Sequence, residues 1–213
     1  MYCPAHFEET RLPVLHDLVH QHPLATLVTQ GANGLSAEHV PLLLRPGTGG
    51  QDLLVGHVAR GNPLAQAHLA EVLVVFQGPQ CYVSPNWYAS KPDSGQVVPT
   101  WNYAVVHAKG TLRTLDDAGW KRTLLNELTQ THEQAQPHPW AVDDAPEPYI
   151  ERLLGAIVGI EIQVHALNGK WKVSQNQPAA NRVTVVAGLQ GAGGAQQQAM
   201  AELVQAFGQA PAR

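Results

Sequence analysis

The sequence predicts a mainly β fold, a closed or partly closed antiparallel barrel with accessory α-helices. Three observations lead there. Short apolar runs recur through the first half, separated by Gly- and Pro-containing turns. Helical periodicity is confined to connections and to the C-terminal end. Strands and helices do not alternate regularly, as they would in a doubly wound sheet.

Each element has a local reason. "ETRLPVLHDLVHQH" places Leu12, Leu15, Leu18 and Val19 on one helical face, with Pro13 in the first turn, where its missing N–H costs little. "PLATLVT" reads as a strand, "QGANG" as a tight turn, and "LSAEHVPLLL" as a strand made irregular by Pro41. After the turn "PGTGGQD", the strand "LLVGHVA" leads to a short helix begun by Asn62-Pro63. "EVLVVFQG" and "CYVS" form a strand pair or one long bent strand, and "PNWYASKPDSGQ" is a loop bearing aromatics. "VPTWNYAVVHAKG" and "TLRTL" supply two further strands. The helix in "DDAGWKRTLLNELTQTHEQ" starts at Asp116 and Asp117 and aligns Trp120, Leu124 and Leu128. A Pro-rich connection, "PHPWAVDDAPEP", precedes a short helix through Leu153 and Leu154. "AIVGIEIQV" alternates as a half-buried strand, and "GKWKVSQ" is expected to fold back on it across an Asn168-Gly169 turn. Met200, Leu203, Val204 and Phe207 recur at helical spacing after a Gly-rich segment. The expected organisation is one domain over residues 1–189, then a flexible linker and helix over 190–213.

Composition narrows the function classes. The 213 residues, 44% apolar, suffice for one well-packed domain. No apolar run is long enough to span a bilayer, and "MYCPAHFEE" has no signal-peptide character, so a cytoplasmic protein without a membrane partner is expected. Thirteen Lys and Arg against seventeen Asp and Glu give a net charge of -4, which argues against direct DNA binding. Cys3 and Cys81 have no redox-pair spacing and read as packed thiols. The histidines show no ligand spacing, so no metal site is expected. Ser84 and Ser174 lack a nucleophile-elbow context, and no catalytic residue stands out.

Three polar clusters interrupt the apolar framework. In "GHVARGNP", Arg60 and Asn62 leave a strand beside two glycines, as a phosphate clamp or as an ordinary solvated strand end. "YVSPNWYASK" and "VPTWNY" concentrate Tyr82, Trp87, Tyr88, Trp101 and Tyr103 near Lys91 and Asn102, to hold a planar ligand or to seal a barrel end. "GKWKVSQN" packs Lys170, Trp171, Lys172, Ser174, Gln175 and Asn176 into a few residues, unusual for a core strand and less so at an oligomer rim. Together they suit a flat aromatic ligand with an anionic tail. Flavin mononucleotide (FMN) meets that description; haem and pyridoxal phosphate meet parts of it.

The same residues carry a family likeness. "MYCPAHF", "LATLVT", "HVPLLL", "GHVARGNP", "FQGPQCYVSPNWY", "VPTWNYAVVHAKG", "IVGIEI" and "GKWKVSQN" occur in the order and spacing of the PaiB-type FMN-binding proteins, known as negative transcriptional regulators or protease synthase and sporulation regulators. The chain resembles that family from Met1 to about Leu189, departing from it at Asn181, where an acidic residue commonly precedes the arginine, and in "VTVVAGL". The resemblance implies an FMN-binding split β-barrel related to pyridoxamine phosphate oxidase. It further implies a homodimer with FMN at the subunit interface. Arg60 would then lie by the phosphate, with Lys91 and Lys172 as candidate second cations, Trp101, Asn102 and Tyr103 near the ring, and the stretch that carries Lys170, Lys172, Ser174 and Gln175 closing the cleft; Asn62 counts with Arg60 among the cofactor-binding residues. Transcriptional regulation is the role that the family label implies, and it is expected to be indirect and redox-linked, without direct DNA contact. A flavin-dependent oxidoreductase or flavin reductase is the alternative, and a haem-binding or haem-degrading barrel a third reading.

Overall fold

The computed structural model describes residues 1–31, 34–47, 50–67 and 69–208. Ala32-Asn33 and Thr48-Gly49 in the expected turns, His68, and residues 209–213 lie outside them. In chain order the elements are β1 (Glu8–Glu9), α1 (Leu12–Gln21), β2 (Leu24–Gly31), β3 (Gly34–Pro41), β4 (Leu43–Pro46) and β5 (Asp52–Ala59). Then come β6 (Ala70–Val83), α2 (Lys91–Ser94), β7 (Thr100–Leu115) and α3 (Ala118–Glu133). The chain continues through α4 (Glu147–Gly155), β8 (Ile157–Lys172), α5 (Ala179–Ala192) and α6 (Ala195–Gly208). The sheet order is β3-β2-β6-β7-β8-β5-β4, with β1 on β8.

Two compact units emerge, one of residues 22–76 and 108–167, the other of residues 1–21, 77–107 and the chain from 168 onward. In the first unit, topology forces curvature. Strands β3 and β4 end the hydrogen-bonded path on opposite sides, yet only Leu42 separates them in the chain. Seven strands laid flat would hold those edges about 29 Å apart. One intervening residue allows about 7 Å. The sheet therefore curls until its ends meet, without closing the hydrogen-bonded path: a split barrel. Gly56 on β5 marks the seam, since a Cβ there would lie 2.7 Å from the Pro41 carbonyl and 2.8 Å from Leu42 Cδ2. Leu27, Leu54, Val74, Leu112, Ile160 and Ile162 are buried, and Val55 packs separately with Leu124 and Leu128 of α3.

The second unit gathers helices around strand ends. Leu15, Leu18 and Val19 form the buried stripe of α1, worth about 1.5–3 kcal/mol each in apolar burial. Leu18 reaches the sheet at Gly78, where a Cβ would sit 2.8 Å from Leu18 Cδ1. Helix α5 lies on Trp87 through Gly188, whose Cβ would come within 2.4 Å of the indole. Gly193 (φ 70°) and Gly194 (φ 93°) turn the chain into α6.

Two expectations change. "VPTWNYAVVHAKG" and "TLRTL" are not two strands; from Thr100 they form the single sixteen-residue strand β7. There is no hairpin at Asn168-Gly169, because β8 runs straight through to Lys172. Gly169 serves close packing instead, with Leu15 Cδ2 2.3 Å and the Trp171 ring 2.8 Å from where its Cβ would be. "VTVVAGL" is helical within α5; burial of Val185, Val186 and Leu189 overrides the β preference of its branched residues. Other expectations hold. Asp117 caps α3 by accepting from Trp120 N at 2.7 Å, and Asn62 caps a 3-10 turn by accepting from Leu64 N at 2.9 Å.

Gly56→Ala should destabilise the protein by about 1–3 kcal/mol, because the seam has no room for a methyl group. Gly61→Ala, where nothing lies near the added carbon, should be close to neutral in the same thermal melts. Burial lowers the imidazole pKa of both His22 and His57, and His57 Nδ1 has no hydrogen-bond partner among the described residues. The folded state thus holds fewer protons than the unfolded chain once pH falls below about 6.5. The stability that these neutral rings carry is complete above that pH and is lost as pH drops through their lowered folded values. Urea melts between about pH 7.5 and pH 5 should show this fall, and His57→Leu should flatten it.

Candidate functional site

The sequence-predicted residues divide between the units. Arg60 and Asn62 belong to the first, at the exit of β5. The Arg60 fork grips Asp116, with Nη1 donating to Oδ2 and Nη2 to Oδ1, each at 2.7 Å. Its Nε donates to the Gly155 carbonyl at 2.6 Å and its Nη2 also to that of Ile157 at 3.2 Å. Lys121, only 3% exposed, donates to the same Asp116 Oδ1 at 2.8 Å and to the Leu154 carbonyl at 2.7 Å. Hydrogen bonds from Arg60 and then Lys121 hold the Asp116 carboxyl far below the ordinary carboxylate range. The cluster staples the end of β5 to the start of α3 and to the α4–β8 junction. Asn62, besides its capping role, donates to Glu38 Oε2 at 3.2 Å.

The other eight residues lie in the second unit. Strand alternation sorts them by face. On β7, Asn102 points inward and is 1% exposed, while Trp101 and Tyr103 point the other way and Trp101 is 56% exposed. Tyr82 of β6 meets Trp101 edge to face, with ring centroids 6.3 Å apart. Asn102 Nδ2 donates to Ser174 Oγ at 2.8 Å. Ser174 has a left-handed backbone (φ 64°), a strained conformation for a residue with a Cβ. Gln175 braces the same corner: its Oε1 accepts from Val173 N at 2.8 Å, and its Nε2 donates to the Trp171 carbonyl.

The lysines of β8 complete the arrangement. Lys170 Nζ donates to the Tyr2 carbonyl at 3.1 Å and lies 5.4 Å from the Tyr103 ring centroid and 5.8 Å from that of Tyr2. Lys172 Nζ donates to the Trp101 carbonyl at 2.8 Å and to Thr100 Oγ1. Burial and then the charge of Lys170 lower the Lys172 pKa. Among the described residues neither ammonium has a carboxylate within ion-pair distance. Lys91 stands aside, donating to Asn86 Oδ1 in the turn before α2. The structure thus joins Trp101, Asn102, Tyr103, Lys170, Lys172, Ser174 and Gln175 in one arrangement, and ties Arg60 and Asn62 into a different one.

Sequence reasoning missed Asp116 as the partner of Arg60 and Lys121 as a second cation on the same carboxylate. A signal existed for Lys121, which shares the i, i+3, i+7 stripe with Leu124 and Leu128 and is therefore on the buried side of α3. Tyr2 has no such signal, since only the folded chain brings it to Lys170.

The split barrel agrees with the comparisons. The chain belongs to the family described as "Putative FMN-binding domain", whose profile matches residues 1–166. It is 33% identical to "Protease synthase and sporulation protein PAI 2" of Bacillus subtilis, a match spanning 96% of this chain and 97% of that protein. An uncharacterized protein of Aspergillus fumigatus is 34% identical over 89% of this chain and 91% of its own. Among solved structures, the FAD and heme binding protein from Mycobacterium smegmatis shares the fold, with a TM-score of 0.54 at 19% identity, over 78% of this chain and 73% of that one. The family profile ends before Lys170; the B. subtilis match extends over nearly the whole chain.

Lys121→Met should lower the thermal midpoint, because it strips a buried cation from Asp116 and takes a donor from two carbonyls. Arg60→Ala should lower the thermal midpoint, and Arg60→Lys should not restore it, since an ammonium cannot span a carboxylate and two carbonyls as the fork does. Calorimetry of the three variants tests the staple.

Proposed function

We propose that this chain binds FMN, with its phosphate on Lys170 and Lys172 and its ring system beside Trp101 and Tyr103. The observation that carries this reading is the lysine pair. Two partly buried ammoniums without a counter-charge among the described residues are unfavourable alone, and a phosphate dianion would neutralise both through charge-assisted hydrogen bonds. The donor set around them fits the rest of the molecule. Exposed aromatic faces suit a planar ring, while the Asn102–Ser174 pair, buried on the opposite face of the strand, fixes the strand end that presents them. Family membership supports the same cofactor. Bound FMN would supply reversible electron transfer; the chain's own part is to hold the phosphate, orient the ring and limit water around it. In this reading Arg60 serves the staple, since Asp116 and two carbonyls take four of its five N–H groups.

The working unit in this proposal is a homodimer with FMN at the subunit interface. The sparse burial of β3 supports it: Gly34, Leu35, Ser36 and Ala37 are all exposed, on both faces of an edge strand. A regulatory role is proposed to be indirect and linked to flavin redox state. Helices α5 and α6 form a hairpin, but α6 carries Glu202 and no Lys or Arg, which speaks against its acting as a DNA-reading helix.

Freshly purified protein should be yellow, with flavin absorbance bands. Lys170→Met and Lys172→Met should each weaken FMN about 10- to 100-fold, as expected for one charge-assisted hydrogen bond, and change riboflavin binding far less. Equal losses for the two ligands would refute the phosphate assignment. Wild-type affinity for FMN should be greatest while Lys172 is protonated and should fall as pH rises through its lowered pKa; Lys172→Met should flatten that profile. Anaerobic titration with a nicotinamide nucleotide distinguishes a reductase, which bleaches the flavin, from a sensor, which does not.

A further inference from the structure

We propose that Phe207, Trp171 and Arg11 form a clasp that positions the Lys170–Lys172 segment and thereby sets its affinity for a phosphate-bearing ligand. The proposal rests on the FMN reading above and deepens it, because it makes the C-terminal helix part of the binding machinery.

Trp171 lies between the two lysines in sequence, so its side chain leaves the strand on the face opposite theirs. It is buried, and its ring stacks on Phe207 of α6 with centroids 6.0 Å apart and planes at 27°. The Arg11 guanidinium lies over the Phe207 ring at 5.2 Å. Arg11 is itself anchored to Glu9, through Nε to Oε1 at 2.9 Å and Nη2 to Oε2 at 2.6 Å. Burial pushes the Glu9 carboxyl up, but the hydrogen bonds from Arg11 outweigh it, so the net shift is downward and the carboxylate stays ionised. Glu9 in turn sits opposite Gly169 in the β1–β8 pair, and Glu8 opposite Lys170. A chain of contacts therefore runs from α6 through Arg11 and β1 to the lysine-bearing strand.

The geometry needs such a device. The ammoniums repel one another, and among the described residues no carboxylate holds either. What fixes their presentation is the rotation of the strand about its own axis, set by whatever grips its other face. Gly169 and Trp171 are gripped closely, with Leu15 packed where a Gly169 Cβ would be. Phe207 and Arg11 touch neither ammonium in any contact described above, which makes them positioning residues.

The test uses the full-length protein with F207A and F207Y, titrated with FMN and with riboflavin and followed by near-ultraviolet circular dichroism of the tryptophans. F207A should weaken FMN about tenfold, change riboflavin by less than about threefold and alter the tryptophan signal. F207Y, which keeps the stacked ring, should restore all three. An F207A protein that folds, shows the altered signal and binds FMN as tightly as wild type overturns the proposal. Should F207A fail to fold, Arg11→Met replaces it: a selective loss of FMN affinity supports the clasp, and unchanged affinity overturns it. If the wild type binds neither flavin, the FMN reading falls, and the clasp is decided by tryptophan fluorescence on titration with inorganic pyrophosphate. A wild-type response lost in F207A supports it, and equal traces, including no response in either, overturn it.

Discussion

The hydrogen bond from Asn102 to Ser174 is the contact on which the candidate site depends. Along β7 the inward row reads Asn102, Ala104, Val106, Ala108, Gly110, Leu112, all of them buried. Asn102 is the one member with a polar side chain. An amide left without a partner there would cost about 1–3 kcal/mol. Ser174 removes that cost by adopting a left-handed backbone, and its position follows directly from the end of β8. Once Asn102 is held inward, Trp101 and Tyr103 must face outward. Once the chain turns at Ser174, Lys170 and Lys172 end their strand beside those rings.

The cations of this protein do two kinds of work, and their partners tell them apart. Arg60 and Lys121 converge on one shared carboxylate and several carbonyls, which takes four of the five Arg60 N–H groups and all three of Lys121 and ties four chain segments together. Among the described residues, Lys170 and Lys172 find carbonyls, a hydroxyl and aromatic faces, which satisfy hydrogen bonds and bring no carboxylate to the charge. A cation engaged in the first way holds a fold together. A pair engaged in the second way at a strand end is suited to an outside anion. Both kinds look alike in one dimension, as basic residues at the end of an apolar run.

Much of this was legible in the residues. Period-2 alternation gave the strands, Asp117 gave the start of α3, and Asn62-Pro63 gave the capped turn. The aromatic and lysine clusters were visible as excess polarity in segments that otherwise read as sheet. Three features were hidden for identifiable reasons. Asn168-Gly169 resembles a hairpin turn, yet its glycine is required by Leu15, a residue far away in sequence. "VTVVAGL" has β-branched residues, yet its burial against neighbouring helices makes it a helix. Arg60 beside glycines reads as an anion clamp, and its bonds to Asp116 are invisible locally because that carboxylate lies far along the chain.

Alternation, capping and composition act between near neighbours, so the sequence by itself determined the strand-rich architecture, the position of the main helix and the residue types available for a planar anionic ligand. Which basic residues are neutralised was decided by the tertiary structure alone, because charge compensation depends on carboxylates brought close by folding. The same holds for the curl of the sheet, which requires β3 and β4 to lie at opposite ends of the hydrogen-bonded order while one residue joins them. Strand order is a long-range property, and no local pattern in the chain encodes it.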